Sequence, residues 1–140
     1  MGLTHLVYPG ALHTRFHHSL GSMYLMREAI QVLRERGIEI SEQESEGALI
    51  AILLHDLGHG PFSHSLESAI VRNIGHEHLT GLFLNELNKE YDDALGIGLS
   101  MFQGDYERKF FHQLLSGQLD MDRLDYLRRD SFFTGVSEGT

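Results

Sequence analysis

Residues 41–60, SEQESEGALIAILLHDLGHG, constrain the fold more than any other stretch of this chain. Ser41 followed by Glu44 is a capping-box pattern, which satisfies orphan backbone donors at a helix start. Ala48, Leu49, Ile52 and Leu53 then run at helical spacing up to His55, and Gly58 and Gly60 interrupt the pattern. The segment reads as a helix with an apolar buried face and a His-Asp pair at its C-terminal end. Adjacent helical residues point about 100° apart. His55 and Asp56 can therefore turn toward one ion only where the helix is ending around them, and the two glycines are read as that ending.

The same punctuation continues along the chain. Leu20, Met23, Tyr24, Ile30 and Leu33 mark an amphipathic helix that begins near 15–19 and closes at Gly37. Shorter helices are expected over 63–71, 76–88, 92–101, 106–116 and 122–132. No stretch alternates with period two among β-branched residues, and no long repeat is visible. The fold class is all-α. At 140 residues the chain can bury one core but not two, so residues 1–140 are read as a single domain or a piece of one.

Composition narrows the chemistry. Lysine and arginine number 11 against 20 aspartates and glutamates, a net charge of -9, which argues against a general nucleic-acid-binding surface. A phosphate-bearing ligand must then be held by a local cluster or a metal. The absence of cysteine restricts metal ligands to nitrogen and oxygen. Neither a membrane-length apolar run nor a secretory signal is visible, and a soluble cytoplasmic protein is the expectation. Histidine is the unusual total: ten are present, and five fall between His55 and His78.

Two further segments offer ligands. TRFHHSLG supplies His17 and His18 at a helix start, with Arg15 on nearly the same face as His18. LDMDRLDYLRRD supplies Asp120, Asp122 and Asp125 beside Arg123, Tyr126 and Asp130. Spacing alone does not choose among these histidines or these aspartates. His5, His13, His78 and His112 are read as structural or surface residues.

The ordered set YPGALHTRFHHSLG, LLHDLGHGPFSH, GHEH and LDMDRLDYLRRD, spanning residues 8–130, resembles the HD-domain phosphohydrolase superfamily. It is similar in particular to the deoxynucleoside triphosphate triphosphohydrolase branch, both dGTPase-like and sterile-alpha-motif and HD-domain enzymes. That resemblance implies a helical bundle around one divalent ion held by His18, His55, Asp56 and Asp122. His18 is selected because it precedes Ser-Leu-Gly, and Asp122 because it precedes the basic residue. Two departures stand out: position 17, often acidic in relatives, is histidine, and Arg123 stands where lysine is common.

Further roles follow from the same resemblance. Arg15 and Arg123 clamp phosphate oxygens, Tyr126 and Asp130 contact the sugar, and His59, His64, His76 and Glu77 line the reacting phosphate. The implied reaction is metal-activated attack of water on the α-phosphorus of a dNTP, releasing deoxynucleoside and inorganic triphosphate. His64 is the first choice for the acid that protonates O5′, and His76 beside Glu77 the second. Because His59, His64 and His76 match phosphate and acid-base positions, one metal is expected, not two. Mn, Fe, Ni, Zn and Mg all suit two imidazoles and two carboxylates.

Relatives of this kind are longer and oligomeric, so the chain is expected to be the core of a larger homo-oligomeric protein, truncated at both ends. The alternatives are another HD-type nucleotide phosphohydrolase, or a module that binds nucleotide and metal without turnover.

Overall fold

The computed structural model describes residues 3–60 and 75–136. After a 3-10 turn at Thr4–Leu6 come α1 (Arg15–Glu35), α2 (Glu42–Leu54), α3 (His76–Glu90), α4 (Gly96–Gln103), α5 (Phe110–Leu115) and α6 (Met121–Thr134). Among the described residues there is no strand, and no helix is long and apolar enough to cross a membrane. The expected helix at 63–71 lies outside the described residues.

Local chemistry sets the helix ends. Thr14 caps α1 through its hydroxyl, and His17 Nδ1 accepts in return from the Thr14 N–H at 3.1 Å. The imidazole takes the place that glutamate holds in a capping box, which gives the unusual histidine at position 17 a local role. Gly37, with φ of 84°, closes α1 through the paired bonds Gly37 N–H to Arg34 and Ile38 N–H to Leu33, the Schellman arrangement that favours glycine. The expected capping box of α2 is present, with Ser41 N–H to Glu44 Oε2 at 2.9 Å and Glu44 N–H to Ser41 Oγ at 3.1 Å.

Three sequence expectations are corrected. The second helix stops at Leu54, ahead of both glycines, with His55 as its cap. Gly58 serves packing instead: a Cβ there would lie 2.5 Å from the Thr80 backbone nitrogen and 2.6 Å from its hydroxyl. The helix expected from 92 begins at Gly96, because Asp92 and Asp93 take left-handed backbone (φ 51° and 63°), a conformation that aspartate tolerates better than most residues. The helix expected from 106 begins at Phe110, because Tyr106 and Arg108 reach back to the Glu44 carboxylate on α2.

The core is built from Met26 and Ile30 of α1, Ala48, Ala51 and Ile52 of α2, Met101 of α4 and Phe111 of α5, all nearly inaccessible. Helices α2 and α4 cross at two glycines: a Cβ on Gly98 would lie 2.8 Å from the Gly47 carbonyl oxygen. The C-terminal end of α2 meets the start of α1 and of α6, where Asp56 contacts Arg15 and His55 approaches Asp122.

Candidate active site

His18 on α1, His55 and Asp56 at the end of α2, and Asp122 on α6 converge. His18 Nε2 lies 2.9 Å from Asp122 Oδ1 and 4.0 Å from Asp56 Oδ2. His55 Nε2 lies 3.5 Å from both Asp56 Oδ1 and Asp122 Oδ1. Ligand atoms of His18, His55 and Asp56 all fall within 4.8 Å of one another. The four residues expected to hold a metal are thus brought together from three helices.

The imidazoles are also oriented. His18 Nδ1–H donates to Asp125 Oδ2 at 2.7 Å, and His55 Nδ1–H donates to the Ile52 carbonyl at 2.6 Å. With Nδ1 committed in each ring, Nε2 faces the space between the carboxylates, where it carries a proton or, in the neutral imidazole, offers its lone pair to a cation. His55 Nε2 is buried and has no hydrogen-bond partner among the described residues, since 3.5 Å is too long for a good bond. Such an orphan at the centre of two imidazoles and two carboxylates fits a divalent cation.

The electrostatics agree. Burial opposes charge on His18, but its bonds to Asp122 and Asp125 outweigh burial and carry its pKa up to about 9. His55 is also raised against its burial, by the nearby Asp122 and Asp56 carboxylates. Burial would raise Asp122, yet the two imidazoles hold it well below the usual carboxylate range. Without a cation, protons take up the positive charge that this pocket favours.

The three aspartates of LDMDRLD divide by geometry. Asp120 is buried and caps α6, accepting the Arg123 N–H at 2.7 Å. Asp122 faces His18 and His55, while Asp125 lies behind His18. Thr80 of α3 holds the turn after α2: its hydroxyl donates to the His55 carbonyl at 3.0 Å and accepts the Gly58 N–H at 2.9 Å. Nothing in the sequence marks Thr80 for this role.

A cleft of about 690 Å³ opens beside the cluster, within the range of small-ligand sites. His59, His76, Glu77 and Arg123 line it, together with His55, Asp56 and Asp122. The His59 and His76 rings stack at 4.0 Å, and His59 Nε2 lies 3.5 Å from Asp56 Oδ1. Arg15 reaches the cluster from another direction, with Nη1 2.6 Å from Asp56 Oδ2. Arg123 donates to the Gln118 carbonyl at 3.1 Å. Tyr126 and Asp130 do not line this cleft, and Asp130 bonds His13 Nε2 at 2.7 Å. His64 lies outside the described residues. His78 and His112, which the sequence leaves without a role, stand in the cleft wall.

Comparison with known proteins gives this geometry its context. The HD domain family model matches residues 15–129. The chain is 40% identical over 99% of its length to the uncharacterized protein YwfO of Bacillus subtilis, and covers 33% of that protein. It is 36% identical over 98% of its length to a protein of Dictyostelium discoideum named a deoxynucleoside triphosphate triphosphohydrolase SAMHD1 homolog, and covers 30% of it. A crystal structure of a phosphohydrolase from Bacteroides thetaiotaomicron superimposes with a TM-score of 0.94 at 55% identity, over 99% of this chain and 34% of that one. The chain spans about a third of the length of these relatives. By the extent of that match, the chain belongs to the HD domain family.

Proposed function

We propose that this chain carries the centre of a metal-dependent phosphohydrolase that converts a dNTP and water to the deoxynucleoside and inorganic triphosphate. The observation that carries this reading is the buried Nε2 of His55, unpartnered among the described residues and facing Asp56 and Asp122 beside a cleft walled by further imidazoles. The substrate class is supported by the similarity to the Dictyostelium protein.

His18, His55, Asp56 and Asp122 would hold one divalent ion. When bound, such an ion polarises a phosphoryl oxygen and lowers the pKa of water. Arg15, at the edge of the cluster, and Arg123, in the cleft wall, hold phosphate oxygens by charge-assisted bonds. This local positive set is what an acidic chain needs to accept a triphosphate. As the bond between the α-phosphorus and O5′ breaks, O5′ takes a proton from a protonated imidazole while the water oxygen bonds phosphorus, and the proton that the water gives up restores the charge of the imidazole. His64 is our first candidate for that acid. His76, stacked on His59 and next to Glu77, is the second or orients the phosphate. Tyr126 and Asp130 remain candidates for contacts to the sugar on the family resemblance alone, since neither lines the cleft and Asp130 is tied to His13. A cytoplasmic homo-oligomer is part of the same reading.

The test is incubation of the full-length protein with each dNTP and Mn²⁺ or Mg²⁺, followed by chromatography. Nucleoside and triphosphate are expected. Release of monophosphate and pyrophosphate, or no turnover, overturns the proposal.

A further inference from the structure

Behind His18 lies a second layer that the reaction itself does not use. Asp125 is buried, and its Oδ2 receives the His18 Nδ1–H at 2.7 Å. Arg129, one turn further along α6, grips the same carboxylate with a fork, Nε to Oδ2 at 2.8 Å and Nη2 to Oδ1 at 2.7 Å. Gly21 of α1 faces this pair so closely that a Cβ would lie 2.8 Å from Asp125 Cγ and would also overlap Oδ1 and the Arg129 Nη2. Asp125 and Arg129 also line a groove between α1 and α6, of about 650 Å³, that shares no residue with the cleft.

We infer that Arg129, acting through Asp125, is a positioning residue that sets the affinity of the centre for its metal, and that Gly21 is glycine to leave room for this relay. The inference rests on the four-ligand reading of the site. A carboxylate that accepts Nδ1–H fixes the orientation of the ring and raises the basicity of the opposite nitrogen, so Nε2 of His18 stays aimed at the space between Asp122 and Asp56 that a metal would fill. A carboxylate with one free oxygen could rotate away. The guanidinium fork takes one bond on each oxygen and prevents it. Lysine, a point charge with no planar fork, keeps the attraction but not the orientation.

The test is Mn²⁺ affinity, read by calorimetry on the demetallated full-length protein with no substrate present, alongside circular dichroism. Asp125→Asn, Arg129→Gln and Arg129→Lys should each weaken Mn²⁺ binding, by about 10- to 100-fold for the first and on the order of tenfold for the others. Gly21→Ala should follow the arginine variants. Glu44→Gln, which perturbs the opposite end of α2, should leave Mn²⁺ affinity unchanged.

Arginine variants that bind Mn²⁺ within about twofold of wild type overturn the inference. So does an equal loss in Glu44→Gln, because affinity would then track stability alone. Failure of both arginine variants to fold also overturns it, since the pair would be a structural strut. Hydrolysis does not enter this readout, so a failed dNTP assay leaves the inference standing, and an unchanged affinity leaves the hydrolase proposal standing.

Discussion

An imidazole whose Nδ1 proton is already committed presents Nε2 to a cation, and His18 and His55 reach that state with different acceptors, Asp125 and the Ile52 carbonyl. Asp122 lies within 3.5 Å of both Nε2 atoms, so its removal opens the centre from the α6 side. His55→Ala and Asp122→Ala should therefore each abolish metal retention, measured by elemental analysis of the purified full-length protein. Unchanged metal content in both rejects the four-ligand model. Asp120→Ala is the contrasting variant: it should keep the metal and lose about 1 kcal/mol of helix capping. Spacing could not sort Asp120, Asp122 and Asp125, because a cap, a proposed ligand and a supporting carboxylate are the same residue type until their partners are known. For His17 and His18 a local signal does exist. His18, Ser22, Met26 and Ile30 are four apart and form the buried face of α1, whereas His17 falls on the solvent side.

Helix ends differ in how far local chemistry determines them. Ser41 with Glu44, and Gly37 after α1, act on their own backbone and are legible in the sequence. Gly58 is not, because its reason lies on another helix: the His76 carbonyl and Thr80 of α3 occupy the space that a Cβ would need. The same contact carries two of the bonds that hold the ligand-bearing turn. Thr80→Val keeps the shape but leaves the buried Gly58 N–H without its acceptor and the His55 carbonyl without its donor, so a loss of about 1–3 kcal/mol is expected. Gly58→Ala should destabilise by a similar amount, about 1–3 kcal/mol, by forcing α3 away from the turn. Thermal unfolding of the two variants measures both effects. A melting temperature unchanged in both would show that α3 does not brace the end of α2. The late starts of α4 and α5 were also hidden, because a left-handed Asp92–Asp93 pair and a carboxylate across the core decide them.

At the scale of the whole molecule, the all-α fold was legible because helical periodicity is written locally, while the arrangement of helices depends on contacts such as Gly47 against Gly98 that no single segment shows. The acidic balance was legible as a total but not in its placement, and Glu44 shows why placement matters. At the end of α2 remote from the proposed metal ligands, it is 8% exposed and accepts from Ser41 N–H at 2.9 Å, Arg108 at 2.8 Å and the Tyr106 hydroxyl at 3.1 Å. Burial acts to raise its pKa, but these donors prevail and hold it at about 2, below its ordinary 4.5. A carboxyl lowered on folding contributes stability that is complete above its unfolded value, near 4.5, and drains away as pH falls toward about 2. A shift of this size corresponds to on the order of 3 kcal/mol. Glu44→Gln should therefore be less stable than wild type at neutral pH, and the gap should narrow steadily below pH 4.5 as wild type loses the same contribution. Asp122 and Asp125, also held low, still titrate in the variant, so some acid sensitivity remains. Urea midpoints of both proteins across this pH range decide the matter. A gap that stays constant down to about pH 2 would mean that Glu44 stabilises by packing and neutral hydrogen bonds, with no contribution from its charge.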